Sequence, residues 1–186
     1  MPAPFAVSVV IGSLREASVS RKAAQALIRL ASDQTVLRIA EIGDLSLYNE
    51  DVEAAGAPEA WTRFRHEIRS CDAVLFVTPE YNRSVPAALK NAIDVGSRPY
   101  GQSAWSGKPA AIMSLSPGAL GGFGANHHLR QSLVFLDMPV MQQPEAYVGD
   151  AFSLFDDAGE FRAARTQDFF KAFADAFAGW IARTVR

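Results

Sequence analysis

The sequence TPEYNRSVPAALKNAID, residues 78–94, changes its local character twice. Just before it, the apolar run Ala73-Val74-Leu75-Phe76-Val77 stops abruptly at Pro79. The polar residues Glu80-Tyr81-Asn82-Arg83-Ser84 follow, and Val85-Pro86 opens a helical pattern in which Val85, Leu89, Ala92 and Ile93 share one face. A buried strand, an exposed turn and a helix in that order describe the carboxyl end of a strand in an open α/β sheet. Such sheets hold their ligands there.

The same unit recurs on either side. Phe5–Ile11 is short, rich in β-branched residues and almost continuously apolar, as expected of a strand buried on both faces. It runs into GSLREASVS, residues 12–20, and from Arg21 onward Ala23, Ala24, Leu27, Ile28 and Ala31 line a helix. Residues 36–42 partly alternate and make a second, more exposed strand, whereas 43–58 read as irregular. Ala57, Trp61, Phe64 and Ile68 mark another helix, on which Glu59 and Arg63 can pair. Beyond the central segment, residues 97–108 form a Gly-, Pro- and Ser-rich loop and 109–115 a fourth buried strand, which ends in the turn 116–122. A helix over 126–136, a broken fifth strand at 138–141 and 147–148, and a last helix capped by Thr166 complete the chain. That last helix gathers Phe169, Phe170, Phe173, Phe177, Trp180 and Ile181 on a broad apolar face.

Strands alternating with helices predict a parallel sheet covered on both faces by right-handed crossovers. Five strands point to the flavodoxin-like three-layer α/β sandwich, with strand order 2-1-3-4-5. The 186 residues suit one domain spanning 1–186, with no internal repeat or linker.

Composition narrows the function. A net charge of −2 and a pI near 5.9 lack the basic footprint of a nucleic-acid binder. The one cysteine, Cys71, permits neither an internal disulfide nor a cysteine zinc site and reads as a small buried apolar residue. The N-terminal apolar run lacks a basic flank and is interrupted by Ser8, and no stretch reaches the ~20 apolar residues that span a bilayer. A cytoplasmic protein that does not engage a membrane is the expectation.

Three turns carry the chemistry, leaving strands 1, 3 and 4, which the expected order makes neighbours. In the first, backbone N–H groups at a helix start favour a phosphate, Ser13, Ser18 and Ser20 offer hydroxyls, and Arg15 offers a guanidinium fork. It is neither GxxxxGK[ST] nor GxGxxG, so nucleotide hydrolysis and a conventional dinucleotide fold are disfavoured. The equally simple reading of this turn is a serine-capped helix. In the second, Pro79 stiffens the approach and Asn82 tolerates unusual backbone angles, which suits a backbone edge beside a flat heteroaromatic ring. Glu80 and Tyr81, each taken alone, read equally well as a solvated acid and a rim residue. In the third, the small residues of 116–122 let backbone approach a ligand closely.

Other candidates are weaker. The adjacent His127 and His128 cannot form an i,i+4 metal pair and read as surface or interface residues, and no metal site is expected. Lys90 and Asp94 make an exposed i,i+4 pair. Without a nucleophile elbow, a serine–histidine–acid hydrolase lacks support.

GSLREASVS, TPEYNRSVPAALKNAID, GKPAAIMSLSPGALGG and HLRQSLVFLDMPVMQQPE together resemble the NADPH-dependent FMN reductase family, most closely its chromate and quinone reductase members. The resemblance implies that Ser13, Leu14, Arg15, Ser18, Val19 and Ser20 wrap the FMN phosphate, with Arg15 as the charged contact. It also implies that Pro79, Glu80, Tyr81, Asn82, Arg83, Ser84 and Val85 run along the isoalloxazine, while Ser116, Gly118, Gly121 and Gly122 close its far side. The implied chemistry is hydride transfer from NAD(P)H to flavin N5 and on to a quinone, with chromate, ferricyanide and azo compounds as less specific acceptors. No side chain is then required as a catalytic acid or base, because the cofactor carries the reaction. A homodimer or homotetramer is also implied, although 123–127 lack the arginine and tyrosine with which some relatives build their tetramer contact. The alternative is a flavodoxin-like FMN electron carrier without NAD(P)H turnover, against which the modest net charge argues. A third reading is an FMN-free module on the same scaffold.

Overall fold

The computed structural model describes residues 3–185. Its strands β1 (Phe5–Ile11), β2 (Thr35–Ala40), β3 (Ala73–Pro79), β4 (Ala110–Leu115) and β5 (Ala146–Val148) are all parallel, in the order β2-β1-β3-β4-β5. The helices α1 (Val19–Leu30), α2 (Glu50–Ala55), α3 (Glu59–Ser70), α4 (Ala87–Gly96), α5 (Phe123–Phe135) and α6 (Ala164–Thr184) lie between and after them. This is the flavodoxin-like sandwich expected from the sequence.

Two core clusters explain the three layers. Successive strand side chains point to opposite faces, so Val9, Leu75, Val77 and Met113 meet Ala24 and Leu27 of α1 and Phe170, Phe173, Phe177 and Ile181 of α6. On the other face Val10, Val74, Phe76 and Ile112 meet Trp61 and Phe64 of α3, Leu89 of α4 and Leu129 of α5. Strands buried on both faces cannot alternate with polar residues, which is why β1, β3 and β4 read as continuous apolar runs.

Several local expectations are corrected. The irregular 43–58 segment contains α2, capped by Asn49, whose side chain accepts from the Asp51 N–H at 2.8 Å. Helix α1 starts at Val19, because Ser18 rather than a later residue is its cap. Helix α5 starts at Phe123 from a left-handed Gly122, and the α6 cap is Ala163 rather than Thr166. Arg63 bonds Glu67 at 3.0 Å and Asp44 at 2.8 Å, so Glu59 is not its partner. The pair Lys90–Asp94 forms at 2.7 Å but is exposed, and contributes only a few tenths of a kcal/mol, ~0.3–0.5. Cys71 is buried, with its thiol 3.1 Å from the Ile68 carbonyl.

Candidate functional site

The parallel register places the three turns side by side. Ile11 stands opposite Val77, Thr78 opposite Ser114, and Pro79 opposite Leu115, so β1, β3 and β4 release their chains on one edge of the sheet. The Gly12 N–H donates to the Val77 carbonyl at 2.9 Å. A Cβ on Gly12 would sit 2.4 Å from Thr78 Oγ1, so only glycine lets the first turn lie against the root of the second.

In the first turn, Ser18 caps α1, its hydroxyl accepting from the Arg21 N–H at 3.2 Å. The N–H groups of Val19 and Ser20 come before any intrahelical acceptor, and they lie at the positive end of the helix. Ser13, Ser18 and Ser20 are buried, whereas Leu14, Arg15 and Glu16 are exposed. Arg21 is engaged by Glu41 through two bonds of 2.9 Å. That hydrogen bonding holds the Glu41 carboxyl below the usual range despite partial burial. The guanidinium of Arg15 makes no such pair among the described residues and stays available on the turn.

In the second turn, Tyr81 and Ser84 exchange two backbone hydrogen bonds, each 3.0 Å, around Asn82 (φ 51°) and Arg83 (φ 63°). Two successive positive φ values make this a primed hairpin turn; asparagine accepts that conformation readily, arginine less so. The turn is held from below. Glu80 has a side chain only 10% exposed, its Oε2 accepts from the Ala125 N–H at 3.1 Å, and its Oε1 faces Arg83 Nη1 at 3.4 Å. His128 Nδ1 lies 2.9 Å from Ser84 Oγ, so this histidine touches the turn, a contact beyond the general surface role expected of it.

In the third turn, Ser116 N–H donates to the Val148 carbonyl at 3.1 Å, and its hydroxyl donates to the Gly118 carbonyl at 3.0 Å. Pro117, Gly118, Ala119 and Leu120 are exposed, but Gly121 and Gly122 are buried. A Cβ on Gly121 would lie 2.4 Å from the Tyr147 backbone carbon, so this glycine seats the turn on β5. The buried Ser114 hydroxyl donates to the Gly121 carbonyl at 2.8 Å and fixes the turn to β4 as well.

Behind this turn, Tyr147 donates to Glu145 Oε1 at 2.8 Å, and His127 Nε2 lies 3.0 Å from the same hydroxyl. Burial, aided by Glu145, pushes the Tyr147 phenol up to about 12. A raised phenol pKa favours the neutral folded form, so its contribution to stability is complete below the ordinary value near ~10 and is lost as pH rises towards the folded value. An ultraviolet difference titration of wild type against Tyr147→Phe is expected to place the missing ionisation near pH 12, and Glu145→Gln should move it back down. Ionisation of Tyr147 in step with the other tyrosines would contradict this.

No group of metal-ligating side chains occurs among the described residues. What converges instead is a helix N-terminus with buried serines, a free guanidinium, a rigid backbone turn and a facing wall of small residues. These features fit a phosphorylated planar ring: the serine and N–H cluster suits the phosphate, and the Tyr81–Ser84 turn offers peptide edges beside a flat surface. The contact of His128 with the turn, the close approach of Gly124 and the Ala125 amide escaped sequence reading, since only the docking of α5 brings them to the turn.

Comparison with known proteins agrees. The model of the NADPH-dependent FMN reductase family matches residues 5–153. A quinone reductase of Pseudomonas putida is 68% identical over 177 residues, 95% of each chain. A 2-hydroxy-1,4-benzoquinone reductase of a Burkholderia species is 42% identical over 94% of this chain and 95% of its own. Among solved structures, FerB, a flavoenzyme NAD(P)H:(acceptor) oxidoreductase from Paracoccus denitrificans, superposes with a TM-score of 0.91 at 40% identity, covering 97% of this chain and 98% of that one.

Proposed function

This chain belongs to the NADPH-dependent FMN reductase family, and from that membership we infer that it is an FMN-dependent NAD(P)H:quinone oxidoreductase built as one domain. The observation that carries the reading is the meeting of three turns on one sheet edge, with the phosphate-type turn and the ring-type turn in direct contact at Gly12 and Thr78. Arg15, Ser13, Ser18, Ser20 and the first amides of α1 would hold the phosphate. The Pro79–Val85 backbone would line one edge of the ring, and Ser116 with the exposed Gly118 segment the other. Leu14 is exposed at the mouth of the first turn and can cover the ligand between them. Gly121 and Gly122 would act indirectly, by fixing the third turn to β4 and β5. Bound FMN supplies the two-electron chemistry between reductant and acceptor. The chain contributes position and charge, and it needs no acid–base dyad. Chromate, ferricyanide and azo compounds are proposed as less specific acceptors, and the cytoplasm, where NAD(P)H is supplied, as the location. Among the described residues no helix is long and apolar enough to cross a membrane.

The decisive experiment is to purify the protein, look for flavin absorbance near ~450 nm, and follow NADH and NADPH oxidation with and without a quinone. Yellow protein with quinone-dependent oxidation supports the reading. A yellow protein that oxidises neither nucleotide would leave the electron-carrier alternative, and one that takes up no FMN would overturn both.

Assembly as a homodimer, or a pair of dimers, is proposed through the face formed by α4, α5 and the 97–108 loop. Tyr100, Val134 and Phe135 are 87%, 75% and 83% exposed there, beside a groove of about 530 Å³. The groove rim carries both signs of charge, Lys90 and Arg98 with Asp94 and Asp137, so the patch can meet its own copy across a two-fold axis. Light scattering is expected to give a dimer or tetramer for wild type and half that mass for Phe135→Glu combined with Tyr100→Ala. An unchanged mass in the double variant would place the interface elsewhere.

A further inference from the structure

We propose that Glu80 is a positioning residue of the cofactor turn, acting through the backbone rather than on the ring, and that it sets the spacing between the second and third turns. The inference rests on the FMN-binding reading above. The Glu80 carboxylate is nearly buried, yet it sits on a turn whose tip is exposed. One of its oxygens accepts from the Ala125 N–H in the first turn of α5, where the helix dipole favours negative charge. The other faces the guanidinium of Arg83, the more strained of the two central residues because arginine accepts a positive φ less readily than asparagine. The third turn runs directly into α5 through Gly122, so a tie to Ala125 couples both walls of the site.

A second contact bears on the same joint. A Cβ on Gly124 would lie 2.6 Å from the Arg83 carbonyl oxygen and 3.0 Å from Glu80 Oε2. The helix therefore approaches the turn so closely that no side chain fits between them, and the carboxylate fills the remaining polar space. Without it, the buried Ala125 amide loses its acceptor and the strained hairpin loses its anchor.

The test is flavin binding by the apoprotein, read as fluorescence quenching with both FMN and riboflavin, which lacks the phosphate. Glu80→Ala is expected to weaken both flavins by the same factor, roughly tenfold or more, because a charge-assisted hydrogen bond is lost from the ring turn. The ratio of FMN to riboflavin affinity should not change, since the phosphate turn is untouched. Glu80→Gln keeps an acceptor for Ala125 and should recover most of the affinity. Gly124→Ala, which pushes on the same turn from the helix side, should reproduce the loss and keeps the test alive should Glu80→Ala not fold. A purely structural role would lower the melting temperature of the apoprotein without moving flavin affinity at temperatures where it is folded, and would overturn the assignment. Wild-type binding together with unaltered affinity in Glu80→Ala or Gly124→Ala would also overturn it. Wild-type protein that binds neither flavin would overturn this assignment together with the reading beneath it, an outcome separable from the others in the first titration.

Discussion

Replacing Arg65 with alanine is expected to destabilise the protein by about 3–5 kcal/mol, the range found when one partner of a buried ion pair is removed. Arg65 lies on α3 and is only 3% exposed. Its Nε donates to the Val95 carbonyl near the end of α4 at 2.8 Å, its Nη1 donates to Glu53 Oε1 on α2 at 2.9 Å, and Nη2 reaches the other Glu53 oxygen. The guanidinium also lies over the Trp61 ring, 5.7 Å from its centre. One side chain therefore ties three helices, and truncation leaves the Glu53 carboxylate without its guanidinium partner and the Val95 carbonyl with only longer backbone contacts, such as that from the Arg98 N–H at 3.4 Å. For a chain of this size the loss corresponds to a fall in melting temperature of very roughly 6–20 °C. Arg65→Lys should recover little, because a point charge cannot reproduce a planar fork. The double change Arg65→Met with Glu53→Leu should recover much more, because no buried charge is then left alone. Chemical denaturation of the three variants checks this, and a loss below about 1 kcal/mol for Arg65→Ala would show that water solvates the pair.

The parts of the molecule legible in the sequence are those whose physics is local. A strand buried on both faces must be an apolar run, so β1, β3 and β4 announced themselves, and the polar turns at their ends marked the candidate site. Helix α2 was missed because none of its six residues is fully buried and its one largely enclosed side chain, Glu53, is polar, which leaves no apolar period to read. Its only signals were the Asn49 cap and the acids Glu50, Asp51 and Glu53 in the first turn, all of which are also ordinary in loops. Partner choice was equally hidden. Arg63 had an i−4 acid in Glu59 and an i+4 acid in Glu67, and it took the latter because Asp44 stands on the same side. The burial of Glu80 and the contact of His128 with Ser84 depend on how α5, more than forty residues downstream, docks against the second turn. Residue type marked the turns proposed to hold the ligand. Which side chains brace those turns was decided by packing between distant segments.

Arg15→Ala is expected to reduce FMN affinity by about 10- to 150-fold, the equivalent of ~1.5–3 kcal/mol for one charge-assisted contact to a phosphate. Among the cations at this end of the sheet, Arg21 is consumed by Glu41 and Arg83 faces Glu80. Arg15 is exposed on the turn that leads into the α1 amides, with no acidic partner among the described residues. Its loss should therefore fall on the phosphate alone: riboflavin affinity should stay at the wild-type value, and the melting temperature without flavin should hardly move, as expected for a surface substitution. The stabilisation conferred by FMN should shrink with affinity, since a ligand at free concentration L that binds only the folded state stabilises it by RT ln(1 + L/Kd). Arg15→Lys should keep part of the affinity, with one charge but without the fork. Equal FMN affinity in wild type and Arg15→Ala would transfer the phosphate to the buried serines and the Val19 and Ser20 amides. In that case Ser18→Ala, which removes the α1 cap as well, would become the variant that loses the cofactor.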